Sequence, residues 1–154
     1  MSTRLSKGDQ APGFNLPGQD GEPVSLGDFL GRRALVYFYP KADTPGCTAQ
    51  ACGLRDAMPR LEGTAVVGIS PDPPKRQAAF DAKYGLGFPL LADVDHAVAE
   101  AYGVWVERSM YGRKYMGIER SAFLVGPDGR LEETWYKVSP AATVANLLSA
   151  LGQV

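Results

Sequence analysis

An apolar run, Ala34-Leu35-Val36-Tyr37-Phe38-Tyr39, leads without a break into Pro40-Lys41-Ala42-Asp43-Thr44-Pro45-Gly46-Cys47-Thr48-Ala49-Gln50-Ala51-Cys52. No other stretch limits the fold of this chain as strongly. A short apolar, aromatic run reads as a buried strand. Thr44-Pro45-Gly46 reads as a helix start, with Thr44 as N-cap, Pro45 at N1, Gly46 at N2 and Cys47 at N3. A thiol is thereby set in the first turn of a helix, just past the end of a strand. Unpaired N–H groups and the positive end of the helix dipole favour thiolate over thiol there, which activates a cysteine.

The remaining chain alternates strand and helix signals. Phe14-Asn15-Leu16 and Val24-Ser25-Leu26 flank the turn Gln19-Asp20-Gly21 and predict an N-terminal β-hairpin. Thr44 to about Leu61 predicts a helix, Thr64 to Ser70 a second buried strand, and Pro73 to Tyr84 a helix ended by Gly85. A short strand over Phe88 to Ala92 and a short helix over Ala97 to Tyr102 follow. Val104 to Gly117 reads as an aromatic, Gly-containing loop. Ser121 to Val125 and Leu131 to Lys137 flank Pro127-Asp128-Gly129 and predict a hairpin, and Pro140 to Leu151 a closing helix. The order β-α-β then β-β-α predicts an α/β, thioredoxin-like mixed sheet covered by helices, with the N-terminal β-hairpin as an extension.

A chain of 154 residues suits one domain, expected over residues 1–154. Net charge is −1 with the charges scattered, so neither a nucleic-acid footprint nor a membrane-binding basic block is expected. No apolar run approaches the ~20 residues of a bilayer span. Met1 to Lys7 lacks the apolar core of a secretory signal, so the expected address is cytoplasmic. In a reducing compartment, two closely spaced cysteines suggest catalysis, redox sensing or metal binding over a structural staple.

On an intact helix Cys52 sits ~140° around and ~7.5 Å along from Cys47, a Cα separation of ~8.7 Å. That exceeds the ~7 Å limit for a disulfide. Either the two cysteines never pair or the first helical turns melt when they do, and Gly46 and Gly53 weaken the helix. Cys52, more than a turn deeper, is expected to be the more buried thiol. A metal site would need about four ligands, whereas only His96 remains beside a Cys-x4-Cys spacing outside the common pattern, so no metal is expected. His96 reads as a surface residue at a helix start. Thr44 either caps the helix only or also turns its hydroxyl toward the Cys47 sulfur and a ligand. Arg120, at the entry to a core strand, is either a surface ion-pair residue or a guanidinium facing Cys47 and an oxygen-bearing substrate.

Pro40-x-x-x-Thr44-x-x-Cys47 resembles the active-site signature of the peroxiredoxins. Cys47-x4-Cys52 followed by Gly53-Leu54-Arg55-Asp56 resembles the bacterioferritin comigratory protein, or Q-type, subgroup. The likeness extends through Val36 to Pro40, Gly68-Ile69-Ser70, Ala101-Tyr102-Gly103-Val104, Gly117-Ile118-Glu119-Arg120-Ser121 and Pro127-Asp128-Gly129. It implies a thiol-dependent peroxidase. Cys47 would attack a hydroperoxide and become sulfenic acid, with Thr44 and Arg120 orienting the peroxide and Pro40 shielding the sulfur. Cys52 would resolve the sulfenic acid as an intramolecular disulfide, which thioredoxin or glutaredoxin would reduce. It implies no cofactor, and Q-type relatives are often monomeric. The rival is a thiol–disulfide oxidoreductase or redox sensor on the same fold, whose usual mark is Cys-x-x-Cys.

Overall fold

The computed structural model describes residues 4–152. A five-stranded sheet forms its centre: β3 (Ala34–Phe38), β4 (Ala65–Ser70), β5 (Leu90–Ala92), β8 (Ser121–Val125) and β9 (Leu131–Trp135), ordered β5-β4-β3-β8-β9. β3 pairs parallel with β4, and β4 with β5. β8 runs antiparallel to both β3 and β9. The N-terminal hairpin is β1 (Asn15–Pro17) with β2 (Pro23–Ser25). The helices are α1 (Pro45–Ala57), α2 (Pro74–Tyr84), α3 (Ala97–Ala101) and α4 (Pro140–Ala150).

The period-two alternation of β3 divides the core. Leu35, Tyr37 and Tyr39 point to one face, where they meet Ala51 and Leu54 of α1, Phe80 of α2 and Leu147 of α4. Ala34, Val36 and Phe38 point to the other, against Phe14, Phe29, Val98 and Tyr102. With both faces covered, β3 is buried along its whole length, which is why it reads as a continuous apolar run. α1 presents Cys47, Gln50, Ala51, Leu54 and Ala57 inward at helical spacing.

Two sequence expectations are corrected. The helix begun at Pro45 does not run to Leu61: it ends at Ala57 and tightens to a 3-10 turn over Met58–Arg60. Pro59 lacks the N–H that another α-helical bond requires, and Leu61 N bonds the Met58 carbonyl instead, at 3.1 Å. The segment read as a loop is a hairpin, β6 (Trp105–Met110) with β7 (Arg113–Ile118). Its turn, Tyr111-Gly112, has φ of 52° and 77°, the paired positive values of a type I′ turn.

Candidate active site

Four elements meet at the first turns of α1. The end of β3 delivers the Pro40–Thr44 loop, α1 supplies Cys47 and Gln50, the β7–β8 junction supplies Arg120, and the start of α4 supplies Ser139 and Thr143. Cys47 occupies the third position of α1 and is buried, at 2% exposure, among Tyr37, Tyr39 and Ala42.

Arg120 lies against the first turn of α1. A Cβ added at Gly46 would come 3.0 Å from Arg120 Nη2 and 3.7 Å from Pro140 Cγ, so the glycine before Cys47 lets the guanidinium close on the helix start. Arg120 Nη1 donates to Gln50 Oε1 at 2.8 Å. Gln50 Nε2 donates to Thr143 Oγ1 at 2.8 Å, and Thr143 Oγ1 donates to the Ser139 carbonyl at 2.9 Å. The Arg120 backbone carbonyl accepts from Val138 N at 2.9 Å. Gln50 is fully buried and was absent from the residues singled out by sequence. Its signal was there: a polar side chain three residues past Cys47 on the apolar stripe of α1, which must find buried partners.

Thr44 has the extended backbone of an N-cap, yet its side chain does not cap the helix. Its hydroxyl donates to the Lys41 carbonyl at 2.8 Å, which folds the loop back on itself and leaves the oxygen lone pairs as acceptors. Thr48 N bonds the Thr44 carbonyl at 2.8 Å. The loop is latched from outside: Asp43 accepts from Lys83 Nζ at 2.9 Å and the Tyr84 hydroxyl at 2.8 Å. Those two bonds hold its carboxyl below the usual range. Deeper in, Ala42 N donates to Asp72 Oδ2 at 2.7 Å.

Cys52 reverses expectation. It is half-buried and free, while Cys47 is buried and free. The turn of ~140° between them carries Cys52 off the inward stripe to the flank of α1. There it lines a shallow groove with Thr44, Pro45, Lys83 and Tyr84. Pro40 is exposed, on the wall of a second groove with Trp105, Tyr115 and Ile118. His96 stacks on Trp105 with centroids 3.9 Å apart and faces Glu100 at 3.1 Å, a surface arrangement as expected.

Beneath Cys47 the Tyr37 hydroxyl is buried with no hydrogen-bond partner among the described residues. Burial first, then the neighbouring Tyr39 and Cys47, push its ionisation well above 10.0, so it stays neutral. Tyr39 differs in donating to Gln77 Oε1 at 2.5 Å. Among the described residues no group of His, Cys, Asp and Glu side chains is placed to hold a metal ion, and no helix is long and apolar enough to cross a membrane.

A buried thiol in the first turn of a helix, with a tethered arginine against that same turn and a mixed thioredoxin-like sheet behind it, defines a thiol redox enzyme. Comparison with known proteins narrows the class. The AhpC/TSA family model matches residues 7–134. The chain is 55% identical over 133 residues to peroxiredoxin Bcp of Escherichia coli K12, covering 85% of each chain. It is 49% identical over 148 residues to a putative peroxiredoxin of Mycobacterium tuberculosis, covering 95% of this chain and 94% of that one. Among solved structures, a cysteine-to-serine mutant of Xylella fastidiosa PrxQ superposes with a TM-score of 0.90 at 31% identity, covering 97% of each chain. The Xanthomonas campestris bacterioferritin comigratory protein, solved as trapped intermediate and ligand complexes bearing on its alkyl peroxide reduction, gives 0.85 at 36% identity, covering 90% of each. The chain belongs to the AhpC/TSA family and is a peroxiredoxin of the Q-type, or bacterioferritin comigratory protein, subgroup: a thiol peroxidase.

Proposed function

We propose that Cys47 is the peroxide-reducing thiol and Cys52 its resolving partner, acting on hydrogen peroxide and organic hydroperoxides. The observation that carries the assignment is the Arg120 guanidinium held against Gly46, in the first turn that bears Cys47. The Cys47 thiolate attacks one peroxide oxygen as the O–O bond breaks. Sulfur is oxidised to sulfenic acid, and the other oxygen leaves, on protonation, as water or an alcohol. Negative charge grows on the leaving oxygen, where Arg120 and the N–H groups of the helix start stabilise it. The Thr44 oxygen, its proton engaged by Lys41, accepts a hydrogen bond from the peroxide. Pro40 forms the outer lip of the pocket.

The Cys52 thiol then condenses with the sulfenic acid, forming the disulfide and releasing water. Both cysteines lie in one unbroken helix, with Cα atoms ~8.7 Å apart, so the first turns of α1 unwind for this step. Thioredoxin, or glutaredoxin, returns both thiols. Resolution within one chain needs no second subunit, so the working unit is a monomer, in the cytoplasm, with no metal or organic cofactor in the cycle.

The test is peroxide consumption with each reductant by wild type, Cys47→Ser and Cys52→Ser. Cys47→Ser should be inactive. Cys52→Ser should make one turnover and stop at sulfenic acid. Full turnover by Cys47→Ser would overturn the assignment. Disulfide reductase activity without peroxide consumption would favour the oxidoreductase reading.

A further inference from the structure

Among the described residues seven large apolar side chains are exposed, and four of them, Met110, Tyr111, Tyr115 and Met116, sit on the β6–β7 hairpin. The hairpin is a two-stranded sheet of its own, separate from the central one. Its base is anchored by buried Ile118 and by Trp105 stacked on His96. Its turn carries Tyr111, 97% exposed.

The pairing register sorts these side chains by face. Met110 lies opposite Arg113 and Arg108 opposite Tyr115 on one face; Glu107 lies opposite Met116 and Ser109 opposite Lys114 on the other. Apolar groups therefore project from both faces and from the tip, with a cation beside them on each. A protein partner covers one face of such a ribbon and leaves the other in water. A lipid headgroup layer surrounds the tip. Tyrosine suits that layer, apolar at the ring and polar at the hydroxyl, and Arg and Lys stems lie along apolar surface while their charges reach phosphate.

Charge selects the lipid. Arg108, Arg113 and Lys114 outnumber Glu107 on the hairpin, in a chain whose net charge is −1. Neither Arg113 nor Lys114 has an ion-pair partner among the described residues. The sequence shows no basic block because Arg108 joins Arg113 on one face only when the hairpin folds, with Lys114 on the other.

We propose that the β6–β7 hairpin is a peripheral docking element that sets its tip, Met110 to Lys114, into the headgroup layer of an anionic bilayer. The groove at its base, lined by Pro40, Trp105, Tyr115 and Ile118, then faces the membrane and brings Pro40, the outer lip of the proposed peroxide pocket, with it. That last clause rests on the proposed catalytic role; the docking does not.

Co-sedimentation of the reduced protein with phosphatidylglycerol/phosphatidylethanolamine vesicles, against pure phosphatidylcholine, tests the docking. Binding to the anionic vesicles should exceed that to the neutral ones ~5-fold or more, and should fade once salt shortens the Debye length to ~3 Å. Met110→Ser/Tyr111→Ser should bind anionic vesicles no better than neutral ones while keeping the wild-type melting temperature. Arg113→Ser/Lys114→Ser should bind them less. Cys47→Ser should bind as wild type does, so failure of the peroxidase reading leaves this result intact. Equal binding to both vesicle types would overturn the proposal. So would wild-type self-association that Met110→Ser/Tyr111→Ser abolishes, since the patch would then be a protein–protein interface.

Discussion

The Arg120 guanidinium donates to Gln50 Oε1 at 2.8 Å, and Gln50 stands one helical turn beyond Cys47 on the same face of α1. The helix that carries the thiol thus also carries the tether of the cation lying against its first turn. Gln50 in turn is fixed by Thr143 of α4. The position of Arg120 depends on α1 being folded and docked, so unwinding α1 frees Arg120 from Gln50 as well as moving the sulfur.

Arg120→Ala should slow the peroxide step ~10²-fold or more, comparable to removing one preorganised oxyanion donor. Gln50→Leu, which removes only the tether, should slow it by less. If Gln50 acts through Arg120, the double variant will be no slower than Arg120→Ala alone. Stopped-flow oxidation of the three variants measures this, and additive slowing would show that Gln50 acts independently.

Accessibility and reactivity should divide between the two cysteines. Cys47 is 2% exposed while Cys52 opens onto a surface groove. A bulky maleimide should therefore label Cys52 of the reduced protein first, whereas stoichiometric hydrogen peroxide should oxidise Cys47 first. Peptide mass mapping after each treatment checks both. Maleimide on Cys47 ahead of Cys52 would show that α1 is already open in the reduced form.

The sheet was legible because β3, β4 and β8 are apolar runs apart from Ser70 and Ser121 at strand ends, and the Pro127-Asp128-Gly129 turn is an unambiguous hairpin signal. The β6–β7 hairpin was not. It stands away from the central sheet, so its strands carry no burial alternation, and its turn places Tyr111 where Asn, Asp or Gly usually supplies the positive φ. At the site, Cys47 and Arg120 were singled out by motif, and the structure brings Arg120 against the first turn that carries Cys47. Gln50 was missed because one glutamine in a helix looks like surface until its face is known. The Thr44 hydroxyl was assigned to the helix because an N-cap residue and a loop-closing residue share the same extended backbone, and only the Lys41 carbonyl distinguishes them.

Tyr37 and Tyr39 should respond oppositely to loss of their hydroxyls. The Tyr37 oxygen is buried without a partner, so Tyr37→Phe should be neutral or slightly stabilising, by up to ~1 kcal/mol. Tyr39→Phe strands Gln77 Oε1 in the core and should cost ~1–3 kcal/mol. Urea denaturation of the two variants compares them. A large loss in Tyr37→Phe would reveal a bridging water at its hydroxyl.

Asp93 makes stability fall with pH over a defined interval. Burial raises its carboxyl above the ordinary 3.8, against the opposing bonds from Ala99 N and Val98 N. Above that ordinary value the unfolded chain has lost this proton while the native chain still holds it, so its contribution declines as pH rises through the raised native value. Asp93→Asn should remove that component of the slope in melts across the mildly acidic range. An unchanged slope would assign it to other carboxylates.

Oxidation should open the start of α1 and leave β3 intact. An S–S bond between Cys47 and Cys52 is incompatible with the continuous helix Pro45–Ala57. The opening is local because no side chain caps that end, and Gly46 and Gly53 interrupt the helix there. What holds it is the Gln50 pair of bonds to Arg120 and Thr143, the bond from Thr48 N to the Thr44 carbonyl and, one residue earlier, the Asp43 latch to Lys83 and Tyr84. Amide hydrogen exchange on the two redox states should therefore show protection of residues 47–54 falling sharply on oxidation, with residues 34–38 unchanged. Asp43→Ala, which frees the loop without touching either sulfur, should raise exchange at residues 47–50 in the reduced protein and speed disulfide formation after a peroxide pulse. Equal protection of α1 in both redox states, with the disulfide confirmed by mass, would mean that the bond forms without unwinding and that the helix geometry has been misjudged.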